Sequence, residues 1–243
     1  MEPDEYRKMA AVEDGMWYYR ALHAHVHREL ARALGHRPAQ VLDAGCGSGG
    51  LIRRLSRTEP SWQWTGVDVS PLACVLARER GAADIREASV TALPFPDASF
   101  NAVVSADVLY HVEDDGAALR EFARVLRPGG RVVINVPAHR WLWSYHDVAT
   151  HAKRRYVRGE IRAKMAAAGF RVARVTHWNT LPLPLVIVRR KLMAAPVGGS
   201  DVRPYPAVVE TGFGAAMALE RAWLESLGTI PLGSSILAVG QVE

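Results

Sequence analysis

The sequence lacks the features that mark exported, disulfide-rich or zinc-binding proteins. Cys46 and Cys74 are the two cysteines, and neither belongs to a CxxC or Cys/His spacing that binds zinc. Two thiols are too few for a disulfide framework, which indicates a reducing compartment. Residues 1–15 carry acids and no apolar core of a secretion signal. We therefore expect a cytoplasmic protein without a bound metal.

Long apolar runs and lysines are also scarce. The longest apolar run, LPLPLVIV at 181–188, contains two prolines and is shorter than the roughly 20 residues that span a bilayer. Hydrophobic residues make up 49% of the 243 residues and charged residues 23%, which predicts a folded, soluble domain. The net charge is +5, and four of the 30 basic residues are lysines. This charge permits attraction to nucleic acid, acidic lipid or an anionic small molecule without choosing among them.

Short aliphatic runs alternate with amphipathic segments from residue 39 onward. We predict strands at residues 39–45, 62–69, 83–88, 100–106 and 130–136. We predict the helices between them at residues 51–58, 71–80 and 115–126. Strands separated by helices of this length indicate βαβ crossovers and a mostly parallel sheet.

Additional segments flank this α/β pattern. Residues 5–34 have helical spacing and should form one helix that ends near Gly35, within an N-terminal lid of residues 1–38. The domain at 39–243 should then carry insertions at about 138–157 and 179–230, the second beginning with an irregular, Pro-rich stretch at 179–206. A helix at 159–169, strands at 170–178 and 234–242, and a helix near 207–227 complete the prediction.

The segment VLDAGCGSGG at 41–50 links a predicted strand to a predicted helix, where glycines let the backbone approach a ligand. Two loop patterns fit it. GxGxxG of dinucleotide enzymes is one, and DxGxGxG of S-adenosylmethionine enzymes is the other. Asp43 favours the second, since a carboxylate at the end of the strand crowds a pyrophosphate but helps to hold the cationic methionine end of S-adenosylmethionine.

Asp68 ends the second predicted strand, nineteen residues beyond Gly49. An acid at this point accepts hydrogen bonds from ribose hydroxyls in either class of cofactor. The alternative is a helix N-cap or a solvated loop acid. Together with the glycine-rich loop, Asp68 indicates a nucleoside cofactor.

Four segments, VLDAGCGSGG, VDVS, LPFPDASFNAVVSADVLYHV and LREFARVLRPGGRVVINVP, occur in this order. With them the sequence resembles class I S-adenosylmethionine-dependent methyltransferases of the small-molecule, type 11 family. The resemblance covers about residues 39–137 and is weaker through 178. It implies a Rossmann-like, mostly parallel α/β sheet of seven strands with helices on both faces, and S-adenosylmethionine as cofactor.

The resemblance also implies roles for individual residues. The methionine moiety of the cofactor would be surrounded by Asp43, Gly45, Cys46 and Gly47. Asp68 and Val69 would contact the ribose and adenine. Ser89 stands where the family often has an acid that contacts the adenine amino group, so Ser89 and Val90 are adenine candidates. Asp107 would face the methyl end of the cofactor.

Methyl transfer needs an aligned nucleophile, and it needs a base only if the acceptor starts protonated. We interpret His146 and His151 as candidate bases, with Asp147 as the orienting acid. The alternatives are a metal site or a set of histidines that fix the loop. His111 in LYHV is a further candidate, with helix capping or packing as its alternative.

Two groups of side chains in the first insertion suggest how an acceptor is bound. Arg154 and Arg155 would suit an acidic group on it, or else form a solvated basic face. Trp141, Trp143 and Tyr145 would line an apolar pocket, or pack the insertion onto the core. The N-terminal Trp17, Tyr18 and Tyr19 have the same two interpretations.

We therefore expect methyl transfer to an O, N or C atom of a small aromatic or lipophilic metabolite of the kind found in secondary metabolism, and the arginines would also suit an acidic one. An RNA or protein methyltransferase is the first alternative, but the chain reads SADVLYHV where an NPPY-type tetrapeptide would stand, so we do not expect a nucleic-acid partner. A non-methylating S-adenosylmethionine-binding protein is the second, and a dehydrogenase the third. LPLPLVIVRRKLM would allow peripheral contact with an anionic membrane surface.

Overall fold

A computed structural model describes residues 2–195 and 200–243. Residue 1 of the predicted lid and residues 196–199 of the second predicted insertion lie outside the described residues. The strands are β1 (Ala39–Ala44), β2 (Trp62–Asp68), β3 (Asp84–Glu87), β4 (Phe100–Ala106), β5 (Leu126–Pro137), β6 (Phe170–Trp178) and β7 (Ser235–Val242). The helices are α1 (Pro3–Val12), α2 (Trp17–Leu34), α3 (Gly50–Thr58), α4 (Pro71–Glu79), α5 (Asp115–Val125), α6 (Tyr145–Ala149), α7 (Arg158–Ala167), α8 (Leu183–Lys191) and α9 (Ala207–Leu227).

The seven strands form one sheet in the order β3-β2-β1-β4-β5-β7-β6. Strand β7 runs antiparallel to both of its neighbours, and the other neighbouring pairs are parallel. The predicted Rossmann-like, mostly parallel sheet is confirmed. The chain order reverses between β1 and β4, so the loops that follow these two strands diverge and open a crevice at their carboxyl ends.

Both faces of the sheet are covered. In β4, Ala102 and Val104 belong to a hydrophobic cluster that includes side chains of α2, α3 and α9. Val103 between them belongs to a second cluster, which includes side chains of α5 and α7. Because alternate residues of the central strands are buried on opposite faces, these strands read as continuous apolar runs in the sequence.

The predicted single helix at 5–34 is wrong, because the segment forms α1 and α2 with a break at residues 13–16. Glu13 turns its carboxylate inward and accepts hydrogen bonds from Ser48 Oγ at 2.5 Å and from the Gly50 N–H at 3.2 Å. Met16 then has the extended conformation of a residue that precedes a helix. The break bends α1 over the glycine-rich loop.

The stretch predicted to be irregular at 179–206 contains α8, which corrects that prediction. Its prolines do not break the helix because Pro182 is the N-cap and Pro184 lies in the first turn, where a missing N–H breaks no helical hydrogen bond.

In residues 138–157, Ser144 and Asp147 form a capping box at the start of the short helix α6. None of the helices within the described ranges is long and apolar enough to cross a membrane.

Glu220 fixes α9 to the end of β6. Its buried carboxylate accepts hydrogen bonds from the backbone N–H groups of Asn179, Thr180 at 2.7 Å and Leu181 at 3.1 Å. This one carboxylate therefore ties the segment that leads into α8 to helix α9.

We predict that Glu220→Ala lowers the free energy of unfolding by about 2–4 kcal/mol, because it leaves several backbone donors without an acceptor. Chemical denaturation followed by circular dichroism measures this loss. Glu225→Ala on the same helix is the control, since the side chain of Glu225 is about half exposed (53%). Equal stability of the two variants would contradict the anchoring role.

Candidate active site

A cavity of about 980 Å³ opens at the carboxyl ends of β1, β2 and β4. Its walls also include residues of α1, α2, α8 and α9. All nine residues that the sequence predicts to bind the cofactor line this cavity: Asp43, Gly45, Cys46, Gly47, Asp68, Val69, Ser89, Val90 and Asp107. Their roles in binding stay predictions, but the fold does bring them together.

The glycine-rich loop turns tightly where β1 leads into α3. Gly45 and Gly47 have φ values of +94° and +52°, which side-chain-bearing residues rarely adopt. A Cβ atom on Gly45 would collide with Val108, and one on Gly47 would lie 2.6 Å from the methyl group of Met9. The loop therefore exposes its backbone to the cavity and to α1.

Asp68 joins three parts of the site through its carboxylate. Oδ2 accepts from the Gly47 N–H at 3.0 Å, and Oδ1 accepts from the Ser70 N–H at 2.9 Å and from the Tyr6 hydroxyl at 3.3 Å. The N-cap of α4 is Ser70, whose hydroxyl accepts from the Ala73 N–H. Asp68 is thus not the helix cap that the sequence left as an alternative.

The cofactor end of the cavity is acidic. Burial, followed by repulsion from Glu13 and Asp68, raises the pKa of Asp43 well above its usual value. Burial also raises the pKa of Glu13 and of Asp68. Carboxyl groups in such a state favour a cation beside them, since a positive charge offsets the repulsion and the lost hydration. The positively charged sulfonium and ammonium groups of S-adenosylmethionine fit this group of carboxylates.

Asp107 follows β4 and belongs to a hydrogen-bonded chain. Its carboxylate accepts from the Tyr18 hydroxyl at 2.9 Å and from Asn135 Nδ2 at 2.8 Å, and Asn135 Oδ1 accepts from Trp178 Nε1 at 2.7 Å. Burial raises the pKa of Asp107 to about 6. Asn135 and Trp178 were not among the predicted site residues, although an asparagine inside the apolar run VVINV is a usable signal.

The four candidate catalytic residues are not grouped as a base with an orienting acid. His111, His146 and Asp147 line the cavity, whereas His151 does not. The side chain of His151 is 54% exposed, and its Nε2 lies 3.1 Å from Glu2 Oε1. Within the described residues, no group of three or more His, Cys, Asp or Glu side chains is placed to hold a metal ion.

The hydrogen-bond partners of His146 and His111 set opposite tautomers. His146 Nδ1 accepts from the Asp201 N–H at 3.2 Å, so its proton is on Nε2 and this atom can act as a donor. His111 Nδ1 donates to the His151 carbonyl at 3.4 Å, which leaves Nε2 as an acceptor. Burial lowers the pKa of His146 to about 3 and that of His111 to about 4, so both rings are neutral at pH 7.

Asp147 and Arg155 form a buried ion pair. Arg155 Nε and one terminal nitrogen contact the carboxylate at 2.6 and 3.0 Å, and the other terminal nitrogen donates to the Ala138 carbonyl at 2.9 Å. The nitrogens of Arg155 are therefore occupied by hydrogen bonds to other groups of the protein. Arg154 pairs with Asp115 at 3.2 Å and does not line the cavity.

The aromatic residues of the first insertion, which were candidates for the wall of the pocket, lie outside it. Trp141, Trp143 and Tyr145 do not line the cavity, and the two tryptophans are 50% and 37% exposed. They alternate in the sequence, but a short helical turn at Arg140–Leu142 and then α6 replace the strand that alternation would need. The Trp, Tyr and Phe residues in the cavity wall are Tyr6, Trp17, Tyr18, Tyr19, Tyr110, Tyr205 and Phe213.

Comparison with known proteins agrees with this geometry. A methyltransferase-domain family model matches residues 42–134. An uncharacterized 37.1 kDa protein of a Streptomyces fradiae transposon is 30% identical over 248 residues, which cover 96% of this chain and 69% of that protein. This chain belongs to the class I S-adenosylmethionine-dependent methyltransferases of the type 11 family. S-adenosylmethionine is therefore the cofactor of this methyltransferase.

Other relatives match a shorter part of the methyltransferase. Demethylmenaquinone methyltransferase of Thermus thermophilus is 38% identical over 112 residues, or 44% of this chain and 51% of that protein, so the match spans about half of that relative. A chain from the complex of the Haloferax volcanii Trm112 methyltransferase activator with a methyltransferase is 25% identical, with a TM-score of 0.64 over 98% of this chain and 97% of that one. The [4+2]-cyclase SpnF, 19% identical with a TM-score of 0.65 over 98% and 92%, shows the fold alone.

We predict that Asp68→Ala weakens binding of S-adenosylhomocysteine by about 10- to 100-fold, because the ribose hydroxyls lose a charged acceptor. Isothermal titration calorimetry measures the affinity. Asp97→Ala is the control, since Asp97 does not line the cavity and its side chain is 79% exposed. An unchanged affinity in folded Asp68→Ala protein would remove the ribose assignment.

We also predict a pH dependence that separates the cofactor, with its sulfonium charge, from its product, whose sulfur is neutral. Asp107 is an anion above its pKa of about 6 and neutral below it. Affinity for S-adenosylmethionine, relative to S-adenosylhomocysteine, should therefore fall as the pH drops through this value. Titrations of both ligands from about pH 5 to about pH 8 test this. The fall should be smaller in Asp107→Asn, and an equal fall in both proteins would contradict the assignment.

Proposed function

We propose that this methyltransferase transfers a methyl group to an O, N or C atom of a small aromatic or lipophilic metabolite. The observation that carries the proposal is the continuity of one cavity from the glycine-rich loop to an aromatic wall. Trp17, Tyr18 and Tyr19 of α2 and Phe213 of α9 belong to this wall. One relative is named a demethylmenaquinone methyltransferase, and demethylmenaquinone is a small-molecule acceptor of this kind.

S-adenosylmethionine supplies a methyl group on a positively charged sulfur, which a nucleophile attacks directly. The contribution of the protein is to hold the acceptor in line and to exclude water. In this proposal the glycine-rich loop holds the methionine moiety, Asp68 holds the ribose, and Asp107 faces the methyl end. The aromatic side chains of α2 hold the acceptor against that point.

α1 acts as the lid in this proposal. Tyr6 donates to Asp68, Met9 packs over Gly47, and the turn after α1 places Glu13 on Ser48. The helix therefore covers the loop that would hold the cofactor. Because these contacts involve the same groups as cofactor binding, entry of the cofactor requires α1 to move.

His111 is the proposed general base for the case in which the methyl acceptor is a hydroxyl group. The His151 carbonyl fixes its tautomer, and the ring packs against Tyr110 with 3.9 Å between ring centroids. The resulting free lone pair on Nε2 belongs to a residue in the cavity wall. In this arrangement His151 contributes through its backbone, whereas His146, with its proton on Nε2, serves as a hydrogen-bond donor.

A cytoplasmic location and a peripheral membrane contact also belong to the proposal. Leu185 and Val188 of α8 are 60% and 44% exposed, and Leu192, which directly follows α8, is 78% exposed. They recur at helical spacing beside the cation Lys191. An exposed apolar stripe next to positive charge is the pattern of a helix that rests on an anionic membrane surface.

The test of the function is incubation with methyl-labelled S-adenosylmethionine and a fractionated metabolite extract. Labelled product and S-adenosylhomocysteine should form together in one fraction. Cofactor binding without S-adenosylhomocysteine formation in any fraction would favour the non-methylating alternative. Label in added RNA or protein would favour the macromolecular alternative.

With a hydroxyl acceptor, we predict that His111→Ala lowers the single-turnover rate by about 10²- to 10⁴-fold and leaves affinity for S-adenosylhomocysteine within about twofold, because a base acts on the acceptor in the transition state. Rapid-quench measurements with both ligands saturating give the rate. His36→Ala is the control, since the His36 side chain is 88% exposed and pairs with Glu59. A wild-type rate in His111→Ala would show that the ring has a packing role.

A further inference from the structure

The charges that line the cavity are divided between its two ends. Most of its acids come from the sheet edge, from α1 and the turn after it, and from the loop before α5: Glu5, Glu13, Asp43, Asp68, Asp107, Glu113 and Asp114. Its arginines come from the segments added after β5 and β6: Arg155, Arg189, Arg190 and Arg203. The acidic end suits the cationic cofactor, and the basic end faces the remaining space.

Arg189 and Arg190 of α8 share one carboxylate. Arg190 Nε contacts Asp201 at 3.1 Å, and Arg189 Nε lies 3.8 Å from the other oxygen of that carboxylate. The Tyr145 hydroxyl also donates to Asp201, at 2.8 Å. The negative charge of Asp201 is therefore divided among several donors.

Arg203 adds a third cation at this end. Its guanidinium carbon lies 5.3 Å from the ring centroid of Tyr205, and it forms no ion pair with any residue in 2–195 or 200–243. Asp201 thus supplies one negative charge beside Arg189 and Arg190, and Arg203 adds a positive charge that no ion pair within the described part of the chain offsets. Arg155 does not add to this excess because it is paired with Asp147.

The basic end is also partly shielded from water. The side chains of Arg190 and Arg189 are 14% and 23% exposed, so their attraction to an anion is screened less than at an open surface. His146 lines the same end and can donate through Nε2, and its lowered pKa of about 3 keeps it neutral. Guanidinium forks with a neutral N–H donor match the oxygens of a carboxylate or phosphate.

We propose that Arg189, Arg190 and Arg203 form a subsite for an anionic group, a carboxylate or a phosphate, on the methyl acceptor. The inference rests on the proposed function, because the acceptor must share the cavity with the cofactor. It differs from the prediction for Arg154 and Arg155, whose charges are neutralised within the protein. The acceptor is then an amphiphile, with its apolar body against the aromatic wall and its anionic group under α8.

The experiment measures binding and needs no turnover. Phenyl phosphate, benzoate and uncharged benzyl alcohol are titrated by calorimetry, at constant ionic strength, into protein saturated with S-adenosylhomocysteine. We expect phenyl phosphate or benzoate to bind at least about tenfold more tightly than benzyl alcohol. The tighter of the two anions identifies the group. Equal binding of all three probes would overturn the subsite.

Variants on both sides of the charge balance sharpen the test. Arg189→Met with Arg190→Met should weaken binding of the anionic probe about tenfold or more and leave benzyl alcohol unchanged. Asp201→Asn should strengthen anion binding, since it removes the competing carboxylate. Arg171→Met is the control, because Arg171 on β6 does not line the cavity. Circular dichroism verifies that each variant is folded.

Three outcomes separate this inference from neighbouring ones. If the double variant weakens binding of S-adenosylhomocysteine as strongly as binding of the anionic probe, the arginines hold the carboxylate of the cofactor, and the acceptor subsite is wrong. If the anionic probe binds as expected but no extract fraction is methylated, the subsite stands and the proposed methyl transfer fails. A methylated acceptor without an anionic group, with a KM unaffected by the double variant, would refute the subsite and leave the function intact.

Discussion

The carboxylate of Asp68 is the contact on which the site depends. It is buried, and its oxygens are satisfied by the glycine-rich loop, by the start of α4 and by Tyr6 of α1. A buried carboxylate with fewer donors would be costly, so the three elements are held in one arrangement. The positions of the loop, of α3 behind it and of the helix that covers it all follow from this one group.

The shared sheet and the added segments have different tasks. The parallel strands bring Asp43, Asp68 and Asp107 to one edge because their carboxyl ends meet there. The segments after β5 and β6 supply the arginines and close the far end of the cavity. In the proposed function the sheet would thus set the electrostatics around the cofactor, and the added segments would set those around the acceptor.

The strands and the residues at their carboxyl ends were predictable from the sequence because their signals are local. A strand buried on both faces is a short apolar run, and each acid directly follows such a run. The break after α1 was not predictable, since Glu13 finds its partner 35 residues away in Ser48. Nor was the chemistry of His146, whose tautomer is set by the backbone of Asp201, 55 residues further on. Arg155 could be assigned to Asp147 only once α6 was seen.

The hydrogen bond from Tyr6 to Asp68 couples the N-terminus of the chain to the occupancy of the site. Tyr6 donates to Oδ1 at 3.3 Å, which is a long contact for two oxygens. A ribose hydroxyl that bonds to the same carboxylate competes with Tyr6 for it. In the proposed function each cofactor exchange would then include the release and redocking of α1, so that product departure would be tied to a helix motion and the position of the N-terminal helix would signal whether the enzyme is loaded.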